Sequence, residues 1–312
     1  DRIEQIIEQT GENGFHFVDE AAPPALLKEV SLEIIARGLT VVWWTNIRFE
    51  KAFSADLCRL LKAAGCIAVS GGLEVASDRL LELMQKGVTV KQVARVCDNF
   101  SSSGIMVHAY LMYGFPTQSD QETIDSMEMV RQLFEQEVLQ SAFWHQFAMT
   151  AHSPVGMNPE AYSVKDTSPS FGGFADNDRY HQDPQGAEHA LYSEGLKISL
   201  FNFMHGIGLD YNLNYWFDFD CPSTTIQPSF IQNCLESAVQ KQKHNPQLCW
   251  IGGPVYIEQI GPGKSLLHFV QPQQQTSLEI KLEIGPYILS LISCIEAKNS
   301  IKWDQLKKET KA

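Results

Sequence analysis

The residues of this chain best suited to chemistry form one run, Ser70-Gly71-Gly72-Leu73-Glu74, at the exit of a short apolar segment, Cys66 to Val69. Small residues let a ligand approach the backbone, and a carboxylate such as Glu74 accepts hydrogen bonds from hydroxyls or an amine. The competing reading is a tight turn whose Glu74 caps the next helix. Three other apolar segments also end in polar or small groups. Phe15 to Val18 ends in Asp19-Glu20, which suit an ammonium or simply a solvated strand end. Thr40 to Trp44 runs into Asn46 and Arg48; a guanidinium holds a carboxylate in a two-pronged contact, or makes a surface ion pair. Ile105 to Met112 leads to Gly114-Phe115-Pro116 and carries His108, either a hydrogen-bonded core histidine or a functional one. The candidate binding residues are therefore Asp19, Glu20, Asn46, Arg48, Ser70, Gly71, Gly72, Glu74, His108 and Gly114.

The elements that must position them follow from periodicity. Residues 2–10 read as a helix with Ile3, Ile6 and Ile7 on one face, stopped by Gly11. Pro23-Pro24 opens a second helix. Ser54 caps a third, and Gly65 ends it. Thr89 with Gln92, and Ser119 with Glu122, have capping-box spacing. Between these helices lie five predicted strands, the last at Ser141 to Met149. Such alternation implies parallel strands joined by right-handed crossovers, with loops at the carboxyl ends building the site. The predicted fold is α/β, a partial (β/α)6 TIM-like barrel over residues 1–155. The chain opens on a helix rather than a strand and on Asp1 rather than Met, so the barrel's first strand is expected upstream. Residues 156–312 are predicted as an α+β C-terminal extension, loop-rich to about 190. Beyond that come helical segments, one at Ser229 to Lys243, and strands at 248–260, 265–271 and 278–284.

A chain of 312 residues can bury a large core. Its formal net charge of −13 argues against nucleic acid or an anionic membrane as partner. No apolar run reaches membrane-span length. The seven cysteines are widely spaced with no C-x-x-C pair. They read as small buried hydrophobes in a reducing cytoplasm, and no metal site is predicted. His181, His189 and His205 are too scattered to suggest metal ligands.

The order of these pieces resembles the radical S-adenosylmethionine superfamily, over roughly the first half of the chain. Gly71-Gly72-Leu73-Glu74-Val75 and Met84-Gln85-Lys86-Gly87 fill the slots of its fourth strand exit and following helix stop, with Val75 in place of the usual serine. Gly114-Phe115-Pro116 and Ser119-Asp120-Gln121-Glu122 fill those of its fifth. Phe17-Val18-Asp19-Glu20 resembles the second strand of members that often carry an upstream cobalamin-binding domain. The resemblance implies an enzyme whose four-iron–four-sulfur cluster and S-adenosylmethionine supply a 5′-deoxyadenosyl radical for hydrogen abstraction. Cobalamin is a conditional further cofactor, and a small molecule or peptide is the implied substrate. It also places Asp19 and Glu20 at the methionine amino group. The cluster is held by C-x-x-x-C-x-x-C after the first strand, a run absent from this chain. The expectation is thus the C-terminal part of a complete enzyme, inactive alone. The alternative is a cluster-less barrel acting as a binding or scaffold protein.

Overall fold

A computed structural model describes residues 1–169, 177–236, 245–271, 274–299 and 301–310. Helix α1 (Arg2–Thr10) ends at Gly11, whose φ of 75° is the left-handed conformation that favours glycine. Then strand and helix alternate: β1 (Gly14–Phe17), α2 (Pro24–Ala36), β2 (Val42–Ile47), α3 (Ala55–Ala63), β3 (Cys66–Glu74), α4 (Asp78–Leu83), α5 (Val90–Ser101), β4 (Met106–Tyr113), α6 (Asp120–Glu135) and β5 (Ser141–Gln146). The five strands form one sheet in sequential order, each pair parallel. This is a partial TIM-like barrel, the expected α/β fold. Local signals set the helix starts: Ser54, Ser77, Thr89 and Ser119 each accept a bond from a first-turn N–H. Ser119 and Glu122 close a full capping box.

The sheet's two faces differ in kind. Trp43, Thr45, Ile47, Val69, Val107, Ala109, Leu111, Tyr113 and Trp144 are buried against the helices. The intervening residues face the concave side, as strand alternation requires. There Met106 is 53% exposed and Phe143 56% exposed. A closed barrel would fill that side with lumen contents. Here it is an open apolar surface.

After β5 come β6 (Met149–Thr150), α7 (Pro154–Met157), β7 (Lys165–Asp166), β8 (Asp178–Arg179) and β9 (His181–Gln182), paired as two small antiparallel ribbons. Helices α8 (Ser193–Phe203) and α9 (Phe230–Glu236) place Leu196, Leu200, Phe203, Ile231 and Cys234 in the same hydrophobic core as the sheet. A cut at residue 155 follows the end of the parallel sheet, while the core continues past it. The predicted helix 229–243 is seen as α9, and its continuation at 237–243 lies outside the described residues. The last unit is an antiparallel sheet, β10 (Val255–Gly261), β11 (Lys264–Gln271) and β12 (Gln274–Lys281), followed by α10 (Ile284–Cys294) and α11 (Trp303–Glu309). Its first strand begins at Val255 rather than Leu248, because Leu248 and Trp250 donate instead to Ile301 and Ile295. Its third begins at Gln274, earlier than Leu278, because Gln275 and Ser277 already pair with β11.

Candidate functional site at the strand ends

Strand β3 is longer than the sequence suggests. It does not stop at Val69 but runs through the glycines to Glu74, with a register shift between Gly72 and Glu74. The two glycines then serve opposite faces. A Cβ on Gly71 would stand 2.7 Å from the Phe49 ring, so its smallness makes room for a core aromatic rather than a ligand. A Cβ on Gly72 would stand 2.1 Å from Glu74 Oε1, so its smallness makes room for that carboxylate.

Glu74 does not cap the next helix; Ser77 does. Glu74 has φ 60°, and its carboxylate accepts a bond from Lys86 Nζ at 2.5 Å. Lys86 is held in turn, because its carbonyl accepts from Arg48 Nη2 at 2.9 Å. The Arg48 guanidinium therefore has one donor committed within the chain, not a whole fork free for a carboxylate. Lys86 was not among the residues singled out from sequence. The signal for it was the Lys86-Gly87 helix stop.

Asn46, Ser70, His108 and Ser141 form one register row across β2, β3, β4 and β5. The row begins near the carboxyl end of β2 and reaches the first residue of β5, the stagger expected of strands bending toward a barrel. His108 Nδ1 lies 2.8 Å from Ser141 Oγ. Burial pushes the His108 imidazole below its ordinary range, favouring the neutral ring. Asn46 Nδ2 donates to the Asp19 carbonyl at 3.5 Å, tying the two strand ends together. Asn46 Oδ1 is buried with no hydrogen-bond partner. Such an orphaned acceptor costs about 1–3 kcal/mol, which a ligand N–H or O–H would recover. Asp19 and Glu20 are exposed beside it. Two residues toward the amino end of β2 from this row, His16 stacks on Trp44 with centroids 3.6 Å apart.

Gly114 is not brought to this row. It lies beyond Tyr113, about 20 Å further along β4 than His108 at about 3.3 Å per residue. Its φ of 80° and bare Cα accommodate His189, whose Cβ and Cγ would be 3.2 Å from an added methyl. His189 is buried and neither ring nitrogen has a hydrogen-bond partner. Burial lowers its pKa, while the charges of Asp183 and Asp120 pull the other way. The same segment is pinned to the loop by Asp183, which accepts from the Thr117 N–H at 2.7 Å, and by Tyr192, which donates to Asp120 at 2.8 Å.

Cys58, Cys66 and Cys97 do not fit an iron–sulfur cluster. Cys58, Cys66 and Cys97 are buried and free, and burial pushes the first two thiols up to about 12 and the third higher still. Cluster ligands must be thiolates. Among the described residues no group of three or more His, Cys, Asp or Glu could hold a metal ion. Nor is any described helix long and apolar enough to cross a membrane.

Parts of this chain are similar to known proteins. An uncharacterized methyltransferase of Pyrococcus horikoshii, PH0819, is 28% identical over 105 residues, 34% of this chain and 23% of that protein. The anaerobic magnesium-protoporphyrin IX monomethyl ester cyclase of Rubrivivax gelatinosus is 28% identical over 134 residues, 42% of this chain and 24% of the cyclase. The match thus spans about a quarter of either relative's length. Among solved structures, the radical S-adenosylmethionine methyltransferase TsrM from Kitasatospora setae, with cobalamin and a [4Fe-4S] cluster, aligns at TM-score 0.45 and 15% identity, over 65% of this chain and 44% of that one. The archaeal Elp3 of Methanocaldococcus infernus aligns at TM-score 0.36 and 13% identity, over 86% and 68%. Residues 9–130, which hold β1 to β4, match the family model of the Radical SAM superfamily.

Proposed function

We propose that this chain forms the S-adenosylmethionine-facing and substrate-facing part of a radical enzyme whose cluster ligands lie outside the residues described. The observation that carries the reading is the orphaned Asn46 Oδ1, buried at a strand end inside the family match. A cationic N–H donor satisfies such an acceptor best.

Each residue then has a task. Asp19 and Glu20 accept from the ammonium of S-adenosylmethionine, with Asn46 Oδ1 as the buried third acceptor. The Arg48 donors not bound to the Lys86 carbonyl meet its carboxylate. The second Glu74 oxygen accepts from a ribose hydroxyl while Lys86 fixes the first. Met106, Tyr110 and Phe143 give the substrate an apolar wall that excludes water. His108, neutral and oriented by Ser141, holds or takes a substrate proton at Nε2. When bound, the cofactor supplies the radical chemistry, and the barrel supplies orientation. The named relatives make methyl transfer or ring closure on a small molecule the favoured reaction classes. Cobalamin enters only through the resemblance of Phe17-Val18-Asp19-Glu20. The second reading, a cluster-less binding barrel, draws support from the buried, protonated cysteines.

Calorimetric titration of the 312-residue chain with S-adenosylmethionine tests the proposal. We expect weak saturable binding, reduced by about tenfold in Asn46→Ala, the loss of one hydrogen bond to a charged group. Anaerobic iron–sulfide reconstitution should leave no stoichiometric iron. Absence of binding would favour the scaffold reading. Stoichiometric iron and sulfide would overturn the exclusion of these cysteines.

A further inference from the structure

The C-terminal sheet carries a second constellation, remote in sequence from the barrel. On β11, His268 is only 5% exposed, and it lies opposite Tyr256 of β10 and Ser277 of β12. Its Nδ1 is 2.8 Å from Ser277 Oγ, and its Nε2 is 3.1 Å from Glu258 Oε2. Tyr256 stacks on the ring at 4.5 Å and fixes its plane. The Gln275 amide nitrogen lies 3.0 Å from the same Nδ1 and also donates to the Tyr256 hydroxyl.

These contacts determine the tautomer. An amide nitrogen only donates, so Nδ1 must be the acceptor nitrogen of a neutral ring. The Nε2–H then donates to the Glu258 carboxylate. The Nδ1 lone pair is shared between the Gln275 N–H and the closer Ser277 hydroxyl. This is the arrangement of an activated serine: a nucleophile, a base within bonding reach, and a carboxylate that orients the base. Gln275 and Ser277 lie two residues apart on one strand and so share a face. Ser277 is exposed, which a nucleophile requires.

We propose that Ser277, His268 and Glu258 form an acyl-transfer site that hydrolyses small activated esters. Ser277 Oγ bonds to the carbonyl carbon as its proton passes to His268 Nδ1. Collapse of the oxyanion breaks the ester C–O bond, and the leaving alkoxide takes the proton from Nδ1. Water then attacks the acyl-serine, giving its proton to Nδ1 and thence to Ser277. The net change is ester plus water to acid plus alcohol, with no redox partner. The site stands independently of the barrel's function.

The test uses the full chain and a fluorophosphonate probe, in which serine Oγ displaces fluoride from phosphorus, followed by peptide mass spectrometry. Ser277 should be modified at least about 100-fold faster than Ser102, an exposed serine whose hydroxyl meets the Asp98 carboxylate and no imidazole. His268→Gln should abolish that advantage, and Ser277→Ala should remove the labelled peptide. Because His268 is buried and its loss could unfold the sheet, Glu258→Gln on the exposed rim serves as the second variant. It should slow labelling by about tenfold with an unchanged thermal melt. Labelling of Ser277 no faster than Ser102, or at a rate indifferent to Glu258→Gln, would show a merely structural network and overturn the proposal.

Discussion

The Glu74–Lys86 pair gives the sharpest test of how the strand-end site is built. Its carboxylate is 14% exposed and its ammonium 28% exposed, with a separation of 2.5 Å. A fully exposed pair contributes about 0–1 kcal/mol, and a hydrogen bond to a charged group about 1.5–3 kcal/mol. Partial burial places this one between, at about 1–2 kcal/mol. Glu74→Gln keeps the shape but removes the charge; Lys86→Met keeps the stem but removes the donor. Each single variant should lose about 1–2 kcal/mol, and the double variant scarcely more than either, because both remove the same bond. Urea melts of the four proteins give the coupling directly, expected at about 1 kcal/mol. Arg48→Met supplies an internal control. It frees the Lys86 carbonyl without touching the carboxylate, and should reduce the coupling by loosening the lysine. In the same set, Glu74→Gln should weaken S-adenosylmethionine binding by about tenfold, whereas Lys86→Met should weaken it less, since in the proposed site only Glu74 meets the ribose. If the single-variant losses add to within about 0.5 kcal/mol, the carboxylate and ammonium are not coupled and the site's geometry is wrong.

Two further outcomes follow from the packing around that site. Gly71→Ala should destabilise by about 1–3 kcal/mol, because the added methyl meets the Phe49 ring at 2.7 Å, and Phe49→Leu in the same background should recover part of it in a thermal melt. His189 carries a pH signature: burial lowers its folded-state pKa, so the unfolded chain takes up that proton first. Its contribution is full above the unfolded value of about 6.5 and is lost as pH falls through the lower folded value. His189→Phe should therefore shrink the loss of melting temperature between neutral and acid pH. His108 is shifted in the same direction and should retain the remainder. An unchanged acid-side slope in His189→Phe would refute the assignment.

The local structure of this chain was legible because its signals act within one turn. The Ser119–Glu122 capping box, the Gly11 stop and the Pro24 helix start each depend on residues within four positions of one another, and each appears where the sequence places it. The five strands were legible because apolar β-branched and aromatic runs have few alternatives between capped helices, and their parallel order follows from the crossovers. Of the seven cysteines expected to be buried, Cys58, Cys66, Cys97 and Cys234 are, while Cys221, Cys249 and Cys294 are half-buried. The site was legible only in part. Sequence placed Asp19, Asn46, Ser70 and Glu74 near strand ends but gave Glu74 no partner. Lys86, three residues past the end of α4, reaches it across that turn. Gly71 and Gly72 looked alike in sequence; strand alternation sent one to the core and the other to the concave face. Gly114 looked like a member of the same cluster. The stagger between strands carried it away from the Asn46–His108 row and under His189, a contact across a long loop. His268, Ser277 and Glu258 lie on three strands, and only the register of an antiparallel sheet aligns them. In each case the deciding quantity was register between segments. A one-residue slip changes which side chains share a face, and no short-range signal fixes it.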